Sequence, residues 1–197
     1  MRKEFADAPE ERAGLRLGEL NFAPALFGPS GLIGCVAATA LSESARPVRA
    51  LFFDKTERSN WALDWHQDRV IHVRERYDVP GFANWTMKAG MLHVSPPFEY
   101  LAKMVTLRVH LDDVGPDNAP LLIAPGSHVL GRIGESDIGG TVERCGTSAC
   151  LASAGDIWLY ATPILHASVR SSRPSRRRVL QLDYAAFDLP GGLEWAL

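Results

Sequence analysis

From residue 48 onward the hydrophobic positions of this chain come in short runs, cut every few residues by glycine, proline or aspartate. Runs of that length between turn formers are the mark of many short strands. Residues 48–53 form one such run, 61–66 a second and 87–94 a third. Over 105–111 the alternation is explicit. Val105, Leu107, Val109 and Leu111 fall on one parity, and Thr106, Arg108 and His110 on the other. A period of two predicts a strand with two chemically distinct faces. Residues 121–124, 150–152, 157–161 and 179–184 continue the series, with turn material over 112–120 and a tight turn at Pro125-Gly126-Ser127-His128.

Helical signals lie mainly ahead of that region. The most apolar stretch, 31–41, is far shorter than the about 20 residues a bilayer span needs, and it reads as a buried helix capped by Ser30. Pro96-Pro97 opens a brief helix over 98–104, since proline is tolerated in a first turn. Helices first and strands after predict a mainly β fold with N-terminal helices, a sandwich or barrel on which a helical extension, 1–47, packs. No repeat, low-complexity tract or linker divides the chain, so 1–197 is expected to be a single domain.

Composition narrows the function classes. A chain of 197 residues, 46% hydrophobic, can bury a substantial core without staples. A net charge of −2 argues against nucleic acid or an anionic membrane as the main partner. The arginines at 170, 173, 176, 177 and 178 lack interleaved aromatics and, Arg177 apart, read as solvated loop residues. Cys35, Cys145 and Cys150 are an odd set without paired metal-ligand spacing, as expected of free thiols in a reducing cytoplasm. The acidic, mixed N-terminus carries no secretory signal, so a cytoplasmic location is expected.

The chemistry-bearing residues are few. His66 and Asp68 in Trp65-His66-Gln67-Asp68 sit at i and i+2, so on a strand they leave the same face. His166 follows the run Gly155-Asp156-Ile157-Trp158-Leu159-Tyr160, and Arg177 comes eleven positions later. Two imidazoles and a carboxylate form the facial triad of mononuclear non-haem iron(II) oxygenases, which leaves coordination positions open as a structural zinc site does not. A guanidinium beyond the second histidine suits an anionic co-substrate.

Together with Leu111-Asp112-Asp113, Asn118, the Pro125–His128 turn, His166-Ala167-Ser168 and 176–185, these residues make the chain resemble the phytanoyl-CoA dioxygenase family over roughly residues 48–186. The resemblance implies a double-stranded β-helix, a jelly-roll or cupin-like core with the metal at one mouth. It implies Fe(II) held by His66, Asp68 and His166, with 2-oxoglutarate and O2 as co-substrates. Arg177 would meet the distal carboxylate of 2-oxoglutarate, supported by Ser168, and no catalytic residue beyond the metal ligands is expected. The implied reaction is hydroxylation of an unactivated C–H bond in a small molecule, with release of succinate and CO2. Retention of Asp68, which related halogenases replace, favours hydroxylation, desaturation or epimerisation. Where many relatives have an aromatic residue lining the co-substrate, this chain has Arg108. It is assigned to 2-oxoglutarate or to an acidic group on the substrate, unless Asp112 or Asp113 claims it. Trp85, Lys88 and His110 are candidate substrate contacts. The alternative is a metal-binding β-barrel, a sensor or binding module without turnover.

Overall fold

The computed structural model describes residues 1–5, 14–21, 23–173 and 175–197, so 6–13 and 22 of the expected N-terminal extension lie outside the described residues. In chain order come β1 (Gly14–Leu17), α1 (Pro24–Phe27), α2 (Gly34–Ala40), β2 (Arg46–Lys55), β3 (Leu63–His66), β4 (Ile71–His72), β5 (Ala83–Lys88) and β6 (Met91–Ser95). They are followed by α3 (Phe98–Leu101), β7 (Val105–His110), β8 (Leu121–Ile123), α4 (Ile138–Cys145), β9 (Ser148–Cys150), β10 (Ile157–Ala161), β11 (His166–Ser168) and β12 (Arg177–Ala185).

The largest sheet runs β1-β2-β12-β7-β10 and the second β3-β11-β8-β9, every neighbour antiparallel. One cavity is lined from both, by Arg49, Leu51, Arg108 and Gln181 of the first sheet and by His66, Leu121 and His166 of the second. This is the double-stranded β-helix that the family resemblance implied, and it meets the sandwich or barrel predicted from the strand pattern. A small sheet, β4-β6-β5, stands beside it.

Alternation along β2, β7 and β12 sorts the residues. Ala50, Phe52, Leu107, Val109, Leu180, Leu182 and Tyr184 take the outer face and form one buried cluster with Phe27, Ile33 and Ala37 of the N-terminal segment. Burying an aliphatic or aromatic side chain is worth about 1.5–3 kcal/mol, so this cluster is what fastens that segment to the sheet. Here α2 begins so close to α1 that a Cβ on Gly34 would stand 2.0 Å from the Gly28 carbonyl oxygen. No larger residue fits there.

Several local expectations need correction. The helix expected over 31–41 is Gly34–Ala40, and its N-cap is Ile33 with no side-chain cap, so Ser30 does not cap it. The extension before residue 46 is not purely helical: β1 adds an edge strand in which Leu15 and Leu17 pack toward the core. The single strand expected over 87–94 is the β5–β6 hairpin, turned at Ala89 (φ 52°) and Gly90 (φ 77°). An alanine at positive φ is an uncommon turn former, and the apolar run hides it. Helix α4 has no counterpart among the expected elements, and β9 lies two residues before the strand expected at 150–152.

Candidate metal centre

Strands β3 and β11 pair antiparallel with His66 directly opposite His166, and the ring centroids are 4.3 Å apart. One donor atom from each of His66, Asp68 and His166 lies within 4.8 Å of the others. Nδ1 of His66 is 2.7 Å from the Asp64 carbonyl oxygen and Nδ1 of His166 is 2.9 Å from that of Ile164. A carbonyl only accepts, so each Nδ1 carries the proton and each Nε2 keeps its lone pair for a metal. Burial and neighbouring His66 outweigh the attraction of Asp68 and press the His166 pKa down to about 4, which keeps that ring neutral.

Asp68 lies beyond the end of β3, yet it meets His66 at one cavity, and Gln67 between them is pinned by three hydrogen bonds that fix the chain there. The Gln67 amide donates to the carbonyls of Gly131 (3.1 Å) and Pro163 (2.8 Å), and its oxygen accepts from the Ile133 amide (2.9 Å). His166 is fixed from behind, where the preceding amide, Leu165, donates to Ser127 Oγ at 2.8 Å.

Sequence reasoning missed Arg49. Its Nη2 donates to Asp68 at 2.7 Å and its Nε to Asp183, which also accepts from Thr106 Oγ1 at 2.9 Å. Burial alone would raise the Asp68 pKa, but Arg49 and the two imidazoles pull it down to about 2. Asp183 moves upward, driven by burial and by Asp68 against the pull of Arg49. The signal was legible in principle, since an arginine inside the apolar run 48–53 needs a buried partner.

Below the triad the barrel holds cations. Arg177 is 1% exposed, donates from Nη1 to the Ala119 carbonyl, and has Nε and Nη2 without a partner. Burial, and then Arg108, press its pKa down to about 9. Arg108 donates to the Gln181 side-chain oxygen at 2.8 Å, and its Nε is buried and unpartnered. Asp112 pairs instead with Arg178 (2.7 Å) and Asp113 accepts from the Ala154 amide (2.7 Å), so neither claims Arg108. Lys55, fully buried, donates to Ser168 Oγ at 3.2 Å; burial, Arg177 and Arg108 press its pKa down to about 7.

The remaining expected residues divide. Lys88 and Ser168 line the cavity of about 390 Å³ beside the triad, together with Arg108, whereas Arg177 does not line it. Trp85 is not brought there: it packs against the cluster of Val94 and Leu101, with Arg76 5.4 Å over its ring. His110 is buried away from the cavity, both ring nitrogens unpartnered, and burial with Arg108 and Arg177 holds its pKa near 4. Arg176 and Arg178 face away from Arg177 and pair with Asp54 and Asp112. Asn118 ties Ser171 and Ser175 in the loop that leads to Arg177.

The donor set suits a divalent first-row metal: two neutral imidazoles, one carboxylate and, among the described residues, no fourth ligand in the group. A double-stranded β-helix with this triad beside an open cavity defines the class of mononuclear non-haem oxygenases. The chain belongs to the phytanoyl-CoA dioxygenase (PhyH) family, whose model matches residues 34–179. The cofactors of that family are Fe(II) and 2-oxoglutarate.

Solved structures of similar fold include HygX from Streptomyces hygroscopicus with nickel and 2-oxoglutarate bound, at 18% identity and TM-score 0.55, covering 93% of this chain and 74% of that one. AviO1 from Streptomyces viridochromogenes Tue57 matches at 21% identity and TM-score 0.53, over 78% of this chain and 56% of that one. EctD from S. alaskensis with 2-oxoglutarate and 5-hydroxyectoine matches at 17% identity and TM-score 0.52, over 78% and 52%. This chain thus spans about half the length of AviO1 and of EctD. No curated protein sequence matches it. Among the described residues no helix is long and apolar enough to cross a membrane.

Proposed function

We propose that residues 1–197 form one oxygenase domain that uses Fe(II), 2-oxoglutarate and O2 to hydroxylate an unactivated C–H bond of a small molecule. The observation that carries this reading is the meeting of three residues distant in sequence, with donor atoms within 4.8 Å, in a cavity that Arg108, with its unpartnered Nε, also lines. When bound, iron(II) with 2-oxoglutarate supplies the oxidising power: O2 is consumed, 2-oxoglutarate leaves as succinate and CO2, and one oxygen atom enters the substrate as hydroxyl.

The residues of the chain bind, aim and exclude water. His66, Asp68 and His166 hold the metal, and the two Nδ1–carbonyl bonds stop the rings from turning away. Arg49 occupies one side of the Asp68 carboxylate and so leaves the other free for the metal. Arg177, through its free Nε and Nη2, takes the distal carboxylate of 2-oxoglutarate together with Arg108 and Ser168. A buried guanidinium that burial and a like-charged neighbour both disfavour gains from an arriving anion, which restores the balance of charge. Leu51, Phe53 and Leu63 give the cavity an apolar wall that dries the reacting carbon. The free thiols Cys35, Cys145 and Cys150 suit the reducing cytoplasm we assign to it.

The test is spectroscopic. Anaerobic addition of Fe(II) and 2-oxoglutarate should produce a weak visible charge-transfer band, and admission of O2 should release succinate slowly even without substrate. A protein that binds the metal but shows neither band nor succinate is a binding module instead.

A further inference from the structure

We propose that the substrate of this site carries an anionic end, a carboxylate or a phosphate, and that Arg16 and Lys88 hold it at the cavity mouth. The inference rests on the oxygenase reading above and names its substrate class. Both side chains line the same cavity as the triad but come from different parts of the fold. Arg16 stands on β1 opposite Leu51, and Lys88 is the last residue of β5, at the Ala89–Gly90 tip of its hairpin. Among the described residues neither has a hydrogen-bond or ion-pair partner.

The other cations of the lining are engaged. Arg49 is held by Asp68 and Asp183. Arg69 donates to the Ile133 carbonyl at 2.7 Å and lies 3.8 Å from Glu135, and Arg108 reaches Gln181. The lining contains one carboxylate, Asp68, and Arg49 already shares it with the metal site. In the reading above the two carboxylates of 2-oxoglutarate go to the metal and to Arg177 with Arg108. Arg16 and Lys88 therefore remain uncompensated after iron and co-substrate are in place. Both cations are half-buried, and a ligand anion in that cavity accepts charge-assisted hydrogen bonds from them that the protein itself does not supply. A volume of about 390 Å³, with Leu51, Phe53 and Leu63 on the wall, takes a small carbon skeleton between that anion and the metal.

The experiment uses protein loaded with Ni(II) and 2-oxoglutarate, which fill the metal and Arg177 ends without turnover. Hexanoate, hexyl phosphate and hexanol, matched in chain length, are titrated calorimetrically. At least one anion should bind about tenfold or more tightly than hexanol, the gain of one charge-assisted hydrogen bond, and the tighter of the two identifies the headgroup. That margin should shrink with added salt. It should vanish in an Arg16→Gln/Lys88→Gln variant whose melting temperature matches the parent. Three probes that bind alike or not at all, a margin indifferent to salt, or a folded double variant that keeps it would each overturn the proposal. Failure of Ni(II) and 2-oxoglutarate to load removes the oxygenase reading and this inference with it. A loaded protein blind to charge removes the inference alone.

Discussion

The two faces of the largest sheet are built from alternate residues of the same three strands, yet they have opposite characters. On the outer face Ala50, Phe52, Leu107, Leu180 and Leu182 interlock with the N-terminal helices in a dry cluster. On the inner face, at the alternate positions of those strands, stand Arg49, Lys55, Thr106, Arg108, Arg177, Gln181 and Asp183, buried and polar. Both faces exclude water, but only one gains stability from doing so. Burying charge costs several kcal/mol per ion, and pairing at best returns it. The outer face therefore stabilises the fold while the inner face holds a site.

That contrast can be broken from either side. The largest effect belongs to the inner face: His166→Ala should abolish iron binding, measured by metal content after anaerobic loading, while far-ultraviolet circular dichroism stays at the parent value. On the outer face, Phe52→Ala removes a fully buried ring stacked 4.0 Å from Phe5. It should cost about 3–5 kcal/mol in denaturant unfolding and leave metal affinity intact. Arg49→Met tests both at once. It leaves Asp183 buried without its cation and Asp68 without its clamp, so stability should fall by about 3–5 kcal/mol and metal affinity by roughly 10–100-fold. An unchanged metal affinity would show that Asp68 needs no support.

Arg177→Ala sits deeper and should be gentler on the fold, because its Nε and Nη2 bond to nothing in the protein. It should raise the 2-oxoglutarate dissociation constant by the equivalent of about 2–5 kcal/mol, read by titration of the visible band. The smallest effect is in pH. Buried His93 and His110 have pKa values pressed from 6.5 to about 4. Between those values the unfolded chain binds more protons than the folded one, so stability is complete above pH 6.5 and is lost as pH falls toward 4. The loss near pH 5 should be on the order of 1–2 kcal/mol for each histidine, and His110→Leu should flatten the melting-temperature profile of the metal-free protein.

Legibility along the chain followed the strength of the local signal. β10 was expected at 157–161 from an unbroken apolar run between turn formers and is found there, and the two-faced strand over 105–111 is β7, because seven alternating residues leave little freedom. β4 and β11, of two and three residues, carry too few positions to show any period. Trp85 and His110 illustrate the limit for a site. Their residue types suit substrate contact, but Trp85 packs into the cluster beside β6, and His110, though it shares the Arg108 face of β7, stands at the strand's last position, outside the cavity lining.

By itself the sequence determined what depends on spacing: the alternating strands, the mainly β class, and a His-x-Asp pair with a later histidine and an arginine eleven residues on. It could not determine which buried arginine meets which aspartate. Arg49, Asp68 and Asp183 lie far apart along the chain and converge only when β2, β12 and the end of β3 are brought together. Pattern along a chain is set by local geometry, whereas the pairing of buried charges is set by which strands become neighbours, and that is decided by the closing of the barrel.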